Sequence, residues 1–176
     1  MTGRRKITWF VAVIAAAAGA VWLAFRPGHS SETSARLSLT IRGSLRGSMR
    51  LPAKVRWCPV TRTGMLEAVS GDTGVAIVLY ERDSLTALPH AILRPEAAGA
   101  AARPASSMVM RWVRLGGDTA LAMYRSTSGT VRLKLSPGVA SGDVNARLQS
   151  ITGTDALQVT GTFRDLPVAT TAAGCS

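Results

Sequence analysis

Two histidines, two cysteines and ten acidic residues are what this 176-residue chain offers for chemistry. His90 stands between Pro89 and Ala91 in an irregular stretch, and no serine near it is marked as a nucleophile. His29 lies in a polar, Pro/Gly-containing segment. No GxSxG elbow, HExxH helix, phosphate-binding loop or GxGxxG turn occurs. Glu67, Glu81 and Asp83 are scattered. The expectation is therefore a protein that is not an enzyme and carries no cofactor. An extracytoplasmic hydrolase is the weakest reading, because it requires His90 to meet carboxylates in a pocket.

Metal chemistry has equally little to stand on. Three segments, SGDTGVAI, GGDTALAM and SGDVNARL, each place Gly-Asp before an apolar run. Convergence of Asp72, Asp118 and Asp143 on a cation is one reading. The better one is turn chemistry, since Asp and Gly accept the backbone angles of tight turns.

The cations are the more informative charges. Lys plus Arg number 21 against 10 acidic residues, a net charge of +11. Between Arg36 and Leu66 there are seven cations and no carboxylate. All seven occupy even positions, which share one face of a pleated strand, and Arg42, Arg46, Arg50, Lys54 and Arg56 form a series from 42 to 56. Such a face suits an anionic lipid or an acidic envelope polymer. The competing reading is a solvated face whose cations discourage aggregation at a strand edge. Nucleic acid is not expected as a partner, because the remainder of the sequence points out of the cytoplasm.

That evidence begins with Ile7 to Phe25, nineteen residues without a charge, about the hydrocarbon thickness of a bilayer when helical. Arg4, Arg5 and Lys6 precede it and Arg26 alone follows before Pro27 and Gly28, so the positive-inside rule leaves the N-terminus in the cytoplasm. Trp9, Phe10, Trp22 and Phe25 fall where interfacial aromatic rings settle. The expectation is a single-pass signal anchor. The alternative is a secretory signal cleaved near Ala18-Gly19-Ala20. Either route exports the rest of the chain, and in an oxidising compartment Cys58 and Cys175 are expected to form a disulfide that closes nearly the whole exported part.

The elements that must position these groups are strands. From Arg36 to Trp57 every odd position is apolar or Gly and every even one polar or basic apart from Pro52. This period of two is that of a half-buried strand, and its 22-residue length demands a turn near Gly43 or Gly47. Val75 to Tyr80 is apolar on both faces and reads as a central strand. Met108 to Leu115, Ala120 to Arg125, Val131 to Leu135, Val144 to Leu148 and Leu157 to Phe163 complete the set. Pro95 to Ser107, rich in Ala, Pro and Gly, reads as a mobile surface loop.

The fold class expected is all-β, an antiparallel sandwich or barrel-like domain after one N-terminal transmembrane helix. Residues 1–6 are assigned to the cytoplasm, 7–25 to the helix, 26–35 to a flexible linker and 36–176 to the extracytoplasmic domain. The leading functional expectation is a disulfide-closed structural or interaction module at the cell membrane, its partner another envelope protein. Binding of anionic lipid or acidic polymer through the basic strand face is the alternative.

Overall fold

The computed structural model describes residues 35–114, 120–171 and 175. The expected transmembrane segment and linker lie outside the described residues. No helix among the described residues is long and apolar enough to cross a membrane.

The described chain is all-β, nine strands closed into one barrel. The strands are β1 (Arg36–Gly43), β2 (Gly47–Cys58), β3 (Thr63–Ser70), β4 (Thr73–Tyr80), β5 (His90–Leu93), β6 (Ala105–Arg114), β7 (Ala120–Ser136), β8 (Val139–Ser150) and β9 (Ala156–Thr170). One helical turn, α1 (Pro95–Ala98), stands between β5 and β6. The order around the wall is β1-β2-β3-β4-β6-β5-β7-β8-β9, and β9 returns to pair with β1. Closure removes the free edges of an open sheet.

The alternation in Arg36 to Trp57 produces the β1–β2 hairpin directly. Leu37, Leu39, Ile41, Leu51, Ala53, Val55 and Trp57 are buried, while the even positions face outward. The turn falls between Gly43 and Gly47, so odd parity is kept on both strands. Together with Ile77, Leu79, Met108, Val144, Val159 and Phe163 these side chains fill the barrel interior.

Two pairings depart from a simple antiparallel meander. Short β5 wedges between β6 and β7, parallel to the first and antiparallel to the second. Below it β6 and β7 pair directly, from Val109↔Arg125 to Arg114↔Ala120. Where β1 begins, the end of β9 slides across to run parallel to β2, Val55↔Val168 to Trp57↔Thr170. Buried serines secure the wedge. The Ser126 hydroxyl donates to the Leu93 carbonyl and accepts from the Met108 N–H, and the Ser106 hydroxyl donates to the Ala91 carbonyl.

The expected strands Ala120–Arg125 and Val131–Leu135 are one. β7 runs for 17 residues with an irregularity between Ser126 and Ser128 that leaves Thr127 as an extra residue. Such a bulge shifts the register by one and exchanges the faces. Tyr124 and Ser126 point inward before it, Val131 and Leu133 after it.

The segment 95–107, expected as a mobile loop, is instead tied to the barrel. Ala98 of α1 is fully buried, Arg103 Nη1 donates to the Glu81 carbonyl at 2.6 Å, and Ala105–Ser107 belong to β6. Ser84–Leu93, which contains Pro89, forms no helix and ends in β5.

Candidate anion-binding face

The outward residues of β7, β8, β9, β1 and β2 form an ordered lattice because the five strands pair in register. One row reads Ser128, Arg147, Gln158, Arg42. The next reads Thr130, Asn145, Thr160, Thr40, Ser48. A third reads Arg132, Asp143, Thr162, Ser38, Arg50. Arg164, Arg36 and Pro52 continue the surface at one side. With about 4.8 Å between strands and about 6.6 Å between rows, the lattice covers roughly 19 by 20 Å.

Its chemistry is uniform. A central band of hydroxyl and amide side chains is flanked by arginines on both sides, and no large exposed hydrophobic residue stands within it. Six arginines face one carboxylate, Asp143, whose contact with Arg132 is long at 4.0 Å between two well-exposed groups. Arg42, Arg50 and Arg147 form no ion pair among the described residues. The surface is also indented. Three adjoining grooves of about 460, 560 and 360 Å³ run along it, the first beside Arg42 and Arg147, the second beside Arg50, the third between Arg132 and Arg147. Ser, Thr, Asn and Gln side chains line the second and third grooves beside the arginines, whereas the first also has Leu148, Ala156 and Leu157 in its wall. Gln158 donates to Asn145 across β9 and β8, which holds two amides of the lining in place.

The five cations expected to share one face are divided by the structure. Arg42 and Arg50 belong to the lattice. Arg46 sits in the β1–β2 turn, between Gly43 and Gly47. Lys54 and Arg56 lie beyond it on the β3 side, opposite Glu67 and Met65 respectively. Arg56 Nη2 approaches Glu67 Oε1 at 2.7 Å and Lys54 Nζ approaches Oε2 at 3.8 Å, so one carboxylate offsets both. Arg132 and Arg147 take their place. Their alternation with buried neighbours was visible in the sequence, but only the pairing of β7, β8 and β9 with β1 brings them beside Arg42 and Arg50.

The expected disulfide is present. Cys58 ends β2, and its bond to Cys175, with Cα atoms 5.5 Å apart, ties down the chain after β9. Thr171 adds two hooks to the same place, donating from its N–H and its hydroxyl to the Trp57 carbonyl.

His90 is not isolated, contrary to its appearance in the sequence. Glu81 follows Leu79 in the inward parity of β4, and His90 begins β5 on the inward face. Their side chains meet with Nε2 to Oε1 at 2.7 Å, 0% and 1% exposed. Thr86 closes the carboxylate, donating from its N–H at 2.7 Å and from its hydroxyl. The Thr86 hydroxyl points to Glu81 rather than to His90, and His90 Nδ1 is buried without a hydrogen-bond partner. Among the described residues no hydroxyl is aligned on the imidazole as a nucleophile would be. The cluster fixes the 81–89 loop over the barrel mouth.

The two Gly-Asp echoes within the described residues occupy different settings. Asp72 is in the β3–β4 turn, whereas Asp143 lies inside β8 on the outer lattice, not in a turn; Asp118 is outside the described residues. No cluster of three metal-ligating side chains occurs among the described residues.

Comparison with known proteins adds no assignment: no family model, no curated protein and no solved structure matches the chain.

Proposed function

We propose that the chain is a membrane-tethered, non-enzymatic binding module outside the cytoplasm, whose barrel holds an extended acidic polymer on the β7–β8–β9–β1–β2 face. The observation that carries this reading is the placement of Arg42, Arg50, Arg132 and Arg147 along adjoining grooves whose lining includes Ser, Thr, Asn and Gln side chains. Arginine forks suit carboxylate, sulfate or phosphate groups, and short hydroxyl and amide side chains suit the polyol between them. A polymer fits better than a bilayer on this face, because it has no large exposed apolar side chain to insert. The uncharged Ile7–Phe25 segment with its basic N-flank supports the tether, and the Cys58–Cys175 bond supports an oxidising compartment. A partner envelope protein with an acidic surface would use the same cations.

Retention on an affinity matrix tests the reading. Full-length protein in detergent is expected to bind dextran sulfate and to elute as salt rises, since exposed charges are screened over about 8–10 Å at physiological ionic strength. Equal passage over dextran sulfate and uncharged dextran would remove the proposal.

A further inference from the structure

The barrel has two unlike ends, and one carries the features of a membrane-contacting surface. At the end that holds the disulfide, three large apolar side chains project from loops or strand ends: Val60 in the β2–β3 turn, Leu88 before β5 and Leu135 at the end of β7, exposed by 69%, 57% and 38%. Arg62, Arg82 and Lys134, all exposed, stand beside them. The exposed carboxylate in these loops is Asp83, since Glu81 is turned inward onto His90. Among the described residues of the opposite end, exposed Ile151 and Val69 are accompanied by Asp155 and Asp72 in or beside the same turns, with Arg46 in the β1–β2 turn.

Apolar tips ringed by cations are the composition of a surface that settles into the headgroup region. The tips enter the acyl boundary and the cations meet anionic headgroups. At the same end Trp57, Leu85, Leu135, Val139 and Val168 line a mainly apolar cleft of about 320 Å³. The chain's own route points to the same end. β1 starts at mid-wall, where Ala35 accepts from the Ala53 N–H, and runs away from the disulfide end; the ten residues Arg26–Ala35 span at most about 33 Å even when extended.

We infer that the disulfide end of the barrel docks on a bilayer containing anionic lipid, inserting Val60, Leu88 and Leu135. This rests on the reading of Ile7–Phe25 as a membrane anchor. Docking in this pose leaves the arginine lattice on the side wall, open to a polymer.

Full-length protein with Trp9→Phe and Trp22→Phe, reconstituted into vesicles of brominated phosphatidylcholine and phosphatidylserine, provides the test. One variant adds Leu88→Trp, the other Ile151→Trp, both at exposed positions that tolerate a larger ring. Flotation with the vesicles reports the anchor, and the quenching of each variant beyond that of the Trp9→Phe/Trp22→Phe parent, which keeps Trp57 and Trp112, reports which end meets lipid. Interfacial groups sit about 5–10 Å into the boundary, so the indole at 88 should be quenched roughly twofold or more relative to that at 151. Arg62→Glu, Arg82→Glu and Lys134→Glu together should reduce that quenching, as should omission of phosphatidylserine. Flotation with equal quenching at the two positions, or with stronger quenching at 151, would overturn the docking pose while leaving the anchor standing. Failure to float would overturn the anchor, and the docking with it.

Discussion

Glu81 and His90 are nine positions apart and meet inside the barrel mouth, Oε1 to Nε2 at 2.7 Å, with neither side chain reaching solvent. Glu81 also accepts from Thr86, and its own carbonyl accepts from Arg103, so one residue joins β4, the 81–89 loop and the segment before β6. Removing one partner from such a pair strands a buried polar group. His90→Leu and Glu81→Leu should therefore each destabilise the barrel by about 3–5 kcal/mol, whereas the double replacement Glu81→Leu/His90→Leu should cost less than the two single changes added together. Urea denaturation of the four proteins measures this. Strict additivity would show that the two side chains do not act as a pair.

The disulfide should contribute on a different scale of chain length. Cys58 and Cys175 are separated by 117 positions, and closing a loop of about 100 residues restricts the unfolded chain by roughly 4.7 kcal/mol in the entropic model. Cys58→Ser/Cys175→Ser should lower unfolding stability by about 2–5 kcal/mol, measured under non-reducing conditions. Addition of reductant should then destabilise the parent and leave the variant unchanged. A parent indifferent to reductant would contradict the bond.

Much of the barrel was legible because parity is a local property. Arg36 to Trp57 named its buried residues one by one, and the turn between Gly43 and Gly47 preserved them. The two-faced apolar run of Val75 to Tyr80 correctly indicated a strand with neighbours on both sides, β3 and β6. What stayed hidden was contact between distant strands. Lys54 and Arg56 share parity with Arg42 and Arg50, yet their neighbour is Glu67 of β3, while the neighbours of Arg42 come from β9 and β8. Glu81 did leave a local trace, a carboxylate continuing the inward series Val75, Ile77, Leu79. Nothing local showed that His90 would stand opposite. The bulge at Thr127 was hidden for the complementary reason. It reverses parity within one strand, and a reading by parity divides that strand in two.

The bulge itself can be tested through Gly129. Its φ is +144°, and an added Cβ would meet the backbone of Asn145 and Ala146 on β8. Gly129→Ala should cost about 1–3 kcal/mol through backbone strain, with steric displacement of β8 in addition. Gly153→Ala, whose Cβ would lie 3.6 Å from the nearest neighbouring atom, should leave stability nearly unchanged. Thermal unfolding of the two variants distinguishes them. Similar melting temperatures would mean that β7 accommodates a side chain at the bulge.

The division of the cations gives the most direct test of the lattice, because two sets of similar charge differ in surroundings. Arg42, Arg50, Arg132 and Arg147 border the grooves, and only Arg132 has a carboxylate contact, at 4.0 Å. Lys54 and Arg56 lie outside the grooves and share Glu67. If net charge alone governed polyanion binding, each Gln substitution would weaken it equally wherever it was made. If the lattice is the site, the four groove arginines changed to Gln should weaken dextran sulfate binding roughly tenfold to thirtyfold, the product of four modest exposed contacts. Lys54→Gln/Arg56→Gln should weaken it about twofold or less, since those cations are already offset by Glu67. Reversing Asp143 to Asn should strengthen binding, because it removes the one carboxylate among the rows and releases Arg132. Titration at two salt concentrations completes the comparison. The groove variant should lose most of the salt dependence and the paired-cation variant should keep it, and an equal loss per charge in both would assign the binding to overall charge and not to this face.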